Sequence, residues 1–204
     1  TAREEPDRHP KMSREAIRYL ADVARRPLST TVERYQRLHF SRRRGNAIRR
    51  QMLDAGLVET VRLATRSGQV VLGELTDAGR AMCERLGIDP GPAPRASLEH
   101  AYWARRAAIH FEDDGYDVTH EHAVRDNGTI DLHAEKDGEH VDIEIETGRS
   151  NIRRNLEKAA HAGFDRIVVI ATNPHAVTQC QKALAAVDSA VARQVEMLTW
   201  LDIS

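Results

Sequence analysis

Two short segments hold the residues with the greatest capacity for chemistry. In Thr129-Ile130-Asp131-Leu132-His133 and Val141-Asp142-Ile143-Glu144-Ile145-Glu146, apolar residues alternate with carboxylates and an imidazole. Successive strand side chains point to opposite faces, so Asp131 and His133 share one face of their strand, as do Asp142, Glu144 and Glu146 of theirs. If the two strands pair through a turn at Lys136-Asp137-Gly138, at least three carboxylates meet on one patch. Like charges facing each other across strands weaken a sheet, and a divalent cation with hard oxygen ligands offsets the repulsion. The chemistry expected from the residues alone is a divalent-cation site where these carboxylates meet. A solvated polar face on a half-exposed hairpin would give the same alternation. The solvated reading weakens when the acidic strands are followed by a helix bearing Arg153, Arg154 and Lys158.

The elements that must position these residues can be read from caps and periodicity. Ser97 caps a helix expected over 98–112, followed by strands at 116–122, 129–134 and 141–147. Ser150 is expected to cap a helix that runs to Ala162 and stops at Gly163. A buried-looking strand at 166–171, a helix at 175–187 and a strand near 196–201 complete the half. The order αβββαβ, with an added αβ, predicts a mixed sheet flanked by helices.

On Asp131 and Glu144-Ile145-Glu146, within that order, residues 95–172 resemble the PD-(D/E)xK, or restriction-endonuclease-like, nuclease superfamily. The family pattern places an aspartate at the end of one strand and (D/E)-x-K on the next. Asp131 and Glu144 match it as metal ligands, while Glu146 stands where the lysine would be; the resemblance implies Mg2+ or Mn2+ held by Asp131, Glu144 and Glu146, lowering the pKa of a bound water and stabilising charge on the phosphate. The resemblance implies phosphodiester hydrolysis leaving a 5′-phosphate, an added acidic residue from the first helix (Glu99), and a basic residue from the following helix (Lys158 or Arg154). The run Glu144-Ile145-Glu146-Thr147-Gly148, followed by residues 151–158, is more loosely similar to nuclease-like tails of HerA/conjugation-type DNA-translocating ATPases. The chain itself has no G-x-x-x-x-G-K-[ST] phosphate loop.

The first half carries a different chemistry. Helices are expected from the Ser13 cap to Arg26, after Ser29 or Thr30 with Val32, Tyr35 and Leu38 inward, and from Arg42 to Ala55, closed by Gly56. A hairpin follows, with strands at 57–63 and 69–75 around a turn at 64–68, and then a helix over 77–86. That order predicts a winged helix-turn-helix domain. Its third helix bears Arg42, Arg43, Arg44, Asn46, Arg49 and Arg50. Arginine at a helix N-terminus opposes the macrodipole, so helix stability does not explain the run. A DNA groove does: arginines hold phosphates or guanine edges, and Asn46 suits adenine. Arg66, on the hairpin tip, is placed to meet the neighbouring backbone, and Arg153 and Arg154 extend the DNA contact to the second half.

The bulk composition agrees with two unlike domains. Of 204 residues, those before Ala93 hold 18 Lys+Arg against 12 Asp+Glu, and the remainder hold 12 against 19. A basic half suits a polyanion, while acidic residues suit one only if they gather around cations. Residues 1–12 read as a disordered lead-in, 13–89 as the winged-helix domain, 90–96 (with Pro90, Pro92 and Pro94) as a linker, and 97–204 as the nuclease-like domain. Two distant cysteines, no targeting segment and no membrane-length apolar run point to a cytoplasmic protein. The fold class expected is α+β, or mixed α/β. The function expected is a metal-dependent endonuclease on double-stranded DNA, with a homodimer as the arrangement that would cut both strands. The alternative is a catalytically inactive DNA-binding or partner-binding adaptor, for example beside a DNA-translocating ATPase. A third reading is a regulator whose second half senses a ligand.

Overall fold

The computed structural model describes residues 12–92, 96–124 and 128–204. The lead-in expected over 1–12, apart from Met12, and the middle of the expected linker lie outside them. The molecule is mixed α+β with two sheets, and it divides into two compact units, residues up to Val61 with Val71–Ala93, and Arg62–Val70 with Pro94–Ser204. Among the described residues no helix is long and apolar enough to cross a membrane.

In the first half of the chain the helices are α1 (Arg14–Arg25), α2 (Thr31–Leu38) and α3 (Arg42–Asp54); the hairpin strands are β1 (Val58–Thr65) and β2 (Gly68–Leu75), followed by α4 (Asp77–Arg85). Local chemistry starts each helix. Ser13, Thr30, Ser41 and Thr76 each accept a backbone N–H from the first turn, and Thr30 with Glu33 forms a capping box. The hairpin turn is tighter than expected: the strands run on to Thr65 and Gly68, leaving Arg66 and Ser67 to reverse the chain. Tyr19, Leu20, Tyr35, Ile48, Met52 and Cys83 lie at the centre of the core.

The inward face of α2 departs from expectation. Val32 is 65% exposed, whereas Arg34 is 1% exposed. Arg34 pairs with Asp22 of α1 and donates to the Arg26 and Ser29 carbonyls, and Arg37 also grips Asp22. A buried charge persists where it is paired and hydrogen-bonded, a compensation hydrophobicity patterns do not reveal. Gly45 permits α3 to approach α2, since a Cβ there would lie 2.6 Å from the Tyr35 ring.

The second half contains α5 (Leu98–Asp113), β3 (Asp117–Val124), β4 (Gly128–Lys136), β5 (Glu139–Glu146), α6 (Ile152–Ala162), β6 (Arg166–Ala171), α7 (Pro174–Ala186), α8 (Ser189–Ala192) and β7 (Val195–Thr199). The sheet order is β3-β4-β5-β6-β7, antiparallel through β5 and parallel from β5 to β7. Asp137 and Gly138 both take positive φ in the β4–β5 turn, the geometry a two-residue hairpin needs. The short α8 has no counterpart in the expected order. The cap of α6 is Asn151 instead of Ser150, because the Ser150 hydroxyl is drawn away to Glu146.

Register explains the burial of β5. Asp142, Glu144 and Glu146 lie beside Ile167, Val169 and Ala171 of β6. Those β6 residues pack with Ile152 and Leu156 of α6 and Ala176 and Cys180 of α7. The carboxylates therefore stand on a helix-covered face, and every residue from Val141 to Glu146 is buried. Solvation does not explain their alternation.

Candidate functional site

The β4–β5 ladder begins at Leu132↔Ile143. One residue before it, the Asp131 side chain takes over a backbone role: its Oδ2 accepts the Ile145 N–H at 2.8 Å. The same oxygen lies 3.0 Å from His100 Nε2 on α5. Asp131 is thus held from two sides through one oxygen, leaving Oδ1 clear of these contacts. A cavity of about 410 Å³ opens here, lined by His100, Asp131, Glu144, Glu146, Asn155 and Lys158 among others.

The electrostatics are those of buried acids crowded together. Burial first, then the charges of Asp142, Asp131 and Glu146, push the Glu144 carboxyl up to about 9, against an opposing pull from Lys158. Asp142, fully buried, is pushed up to about 7 by burial and by Asp131. Neither Asp142 oxygen has a hydrogen-bond partner. Glu146 is also raised by burial, but Ser150 and Asn155 oppose the rise by hydrogen bonding to its carboxylate.

These observations test the fit of a divalent cation. Glu146, expected as a ligand, is 2% exposed, and its oxygens are taken by the Ser150 hydroxyl and the Asn155 amide. Among the described residues, no group of three or more His, Cys, Asp or Glu side chains is assembled to hold an ion. Of the three carboxylates that line the cavity, Glu146 is held by Ser150 and Asn155, which leaves Asp131 and Glu144 as the donors for an ion. Two carboxylates fit Mg2+ or Mn2+, which commonly bind through one or two carboxylates and complete their shell with water and phosphate oxygens. They do not fit a closed protein cage.

The other expected residues are distributed unevenly. Lys158 lines the cavity. Glu99 does not; its carboxylate accepts from Thr172 Oγ1 and Asn173 Nδ2, each at 2.9 Å, bracing the passage from β6 to α7. Its neighbour His100 reaches Asp131 instead, because adjacent helix residues point about 100° apart. Nothing in the local sequence distinguishes which of the two a helix turns toward a strand. Arg154 is exposed and absent from the cavity wall, and Arg153 pairs with Glu157 at 2.8 Å. His100, Ser150 and Asn155 are the residues that sequence reasoning missed. Hydroxyl and amide partners carry no periodic signal.

In α3, Gly45, Ile48 and Met52 are buried, so helical spacing places Arg43, Asn46, Ala47 and Arg50 on the outer stripe. Arg42, Arg43 and Arg50 are exposed. Arg44 pairs with Glu15, and Asn46 Oδ1 accepts from the Tyr35 hydroxyl at 3.1 Å. Arg49 is half-buried beside Tyr35, and its Nε has no hydrogen-bond partner. Arg66 is exposed at the hairpin turn. The basic run therefore splits: Arg42, Arg43 and Arg50 face outward, whereas Arg44, Asn46 and Arg49 have neighbours within the protein.

No protein-family model, curated protein or solved structure matches the chain.

Proposed function

We propose that the protein is a Mg2+- or Mn2+-dependent phosphodiesterase acting on DNA, with a nuclease-like core of the PD-(D/E)xK type and a winged-helix unit that engages the duplex through α3. The observation that carries the reading is Asp131, fixed through Oδ2 by His100 and the Ile145 N–H, sharing one cavity with Glu144 and Lys158. In this reading Asp131 and Glu144 hold the ion. When bound, it activates water and stabilises charge on the phosphate. The water oxygen bonds to phosphorus and gives up a proton to solvent as the P–O3′ bond breaks and O3′ takes a proton from solvent, leaving a 5′-phosphate and a 3′-hydroxyl. Lys158 offsets charge on the phosphate oxygens. His100 orients Asp131, and Ser150 and Asn155 keep Glu146 fixed behind the site.

Supercoiled plasmid incubated with the protein and Mn2+ is expected to be nicked, with the activity lost in Asp131→Asn and Glu144→Gln while both variants stay folded by circular dichroism. Intact plasmid at high protein concentration would overturn the catalytic reading. One observation favours a second reading, a binding protein that keeps the fold without turnover. At the position of the family lysine stands Glu146, locked by two hydrogen bonds. Unchanged plasmid together with salt-dependent duplex binding, lost in Arg43→Glu/Arg50→Glu, would select it.

A further inference from the structure

A second recess, of about 560 Å³, meets the carboxylate cavity across Arg149 and Ser150, which line both. Its remaining walls come from the start of α6 and from α7, including Asn151, Arg153, Gln179 and Lys182. The two recesses differ sharply in charge. The first contains Asp131, Glu144 and Glu146 beside His100, Lys158 and the shared Arg149; the second contains three cations, Arg149, Arg153 and Lys182, and no carboxylate. Arg153 leans on Glu157, but Arg149 and Lys182 make no ion pair among the described residues. Fold stability does not call for three cations, from the β5–α6 loop, α6 and α7, around one open recess, since they repel one another unless an anion intervenes.

We propose that this recess is a track for the nucleic-acid backbone, holding phosphates that flank the one lying in the carboxylate cavity, with Arg149 at the junction. The identity of the polymer rests on the phosphodiesterase reading above. The lining carries no aromatic side chain on which a base could stack, so the track grips phosphates and is indifferent to sequence. It adds Arg149, Lys182 and Gln179 to the surface that meets substrate and leaves Arg154 outside it.

The test is fluorescence anisotropy of the full chain with labelled single-stranded and duplex oligonucleotides in EDTA, across a range of salt. Arg149→Glu/Lys182→Glu, both at exposed positions, is expected to weaken binding about tenfold or more and reduce the salt slope by about 1–2, since each phosphate contact contributes roughly 0.7–0.9. Two oligonucleotides of different base composition should be affected equally. Unchanged affinity and slope overturn the track, as does loss of binding to phosphatidylserine vesicles or inorganic phosphate with DNA binding intact. Because EDTA removes hydrolysis from the measurement, the two readings fail separately. Charge-reversal-sensitive binding without plasmid nicking retains the track and discards the enzyme. Nicking with reversal-insensitive binding and rate does the opposite.

Discussion

In the first unit, Arg34 is 1% exposed and is met by Asp22 and two backbone carbonyls, and Arg37 also grips Asp22. In the second, Asp142 is equally buried and has no partner for either oxygen, and Glu144 beside it sits among other carboxylates. Both arrangements remove charge from water at considerable cost. In the α1–α2 pair the compensation is built into the chain, so the charge serves architecture. In the β4–β5 sheet it is incomplete, and under the proposed function a cation at Asp131 and Glu144 would supply the missing positive charge. That contrast separates a structural ion pair from a candidate functional site more sharply than the number of charges does.

The largest expected effect comes from breaking the satisfied side. Arg34→Ala should cost about 3 kcal/mol in urea unfolding, the low end for a broken buried pair because Arg37 still compensates Asp22. A loss below about 1 kcal/mol would mean that the pair is not a structural anchor. The unsatisfied side should respond in the opposite direction. Glu144→Gln is expected to stabilise the metal-free protein by about 1–3 kcal/mol at pH 8. Glu144 and Asp142 are raised to about 9 and about 7 from ordinary values of 4.5 and 3.8. Between those limits the folded state binds more protons than the unfolded, so stability falls as pH rises from about 4 to about 9. The substitution should flatten that slope, and saturating Mn2+ should raise the wild-type melting temperature but not the variant's. A pH-independent melting temperature in the wild type would show that the acids are hydrated. The smallest effect belongs to charge left in water: Arg153→Ala removes an exposed i,i+4 pair with Glu157 and should shift stability by only about 0.3–0.5 kcal/mol. A larger loss would place Arg153 in a tighter network than its exposure suggests.

Much of the fold was legible because its signals are local. Ser13, Thr30, Ser41, Thr76 and Ser97 each mark a helix start, for a cap acts on backbone groups two or three residues away. The 166–171 strand stands at its expected limits, its apolar run being buried on both faces. The α6 start was misplaced by one residue because Ser150 and Asn151 are both competent caps, and only the position of Glu146 drew the serine away. Val32 was misread because periodicity assigns apolar residues inward, and it gives no sign that Arg34 is buried instead against Asp22 across a helix interface.

The sequence by itself determined that Asp131 and Glu144 lie on neighbouring strands of alternating pattern, and that three carboxylates share one side of β5, since both follow from a two-residue period and a short turn. Tertiary structure alone decided that this side is buried beneath α6 and α7, that His100 and not Glu99 reaches Asp131, and that Ser150 and Asn155 occupy Glu146. The physical reason is range. Side-chain alternation and capping act within a few residues of chain, whereas burial and hydrogen-bond partnership depend on which distant element arrives, and at what rotation.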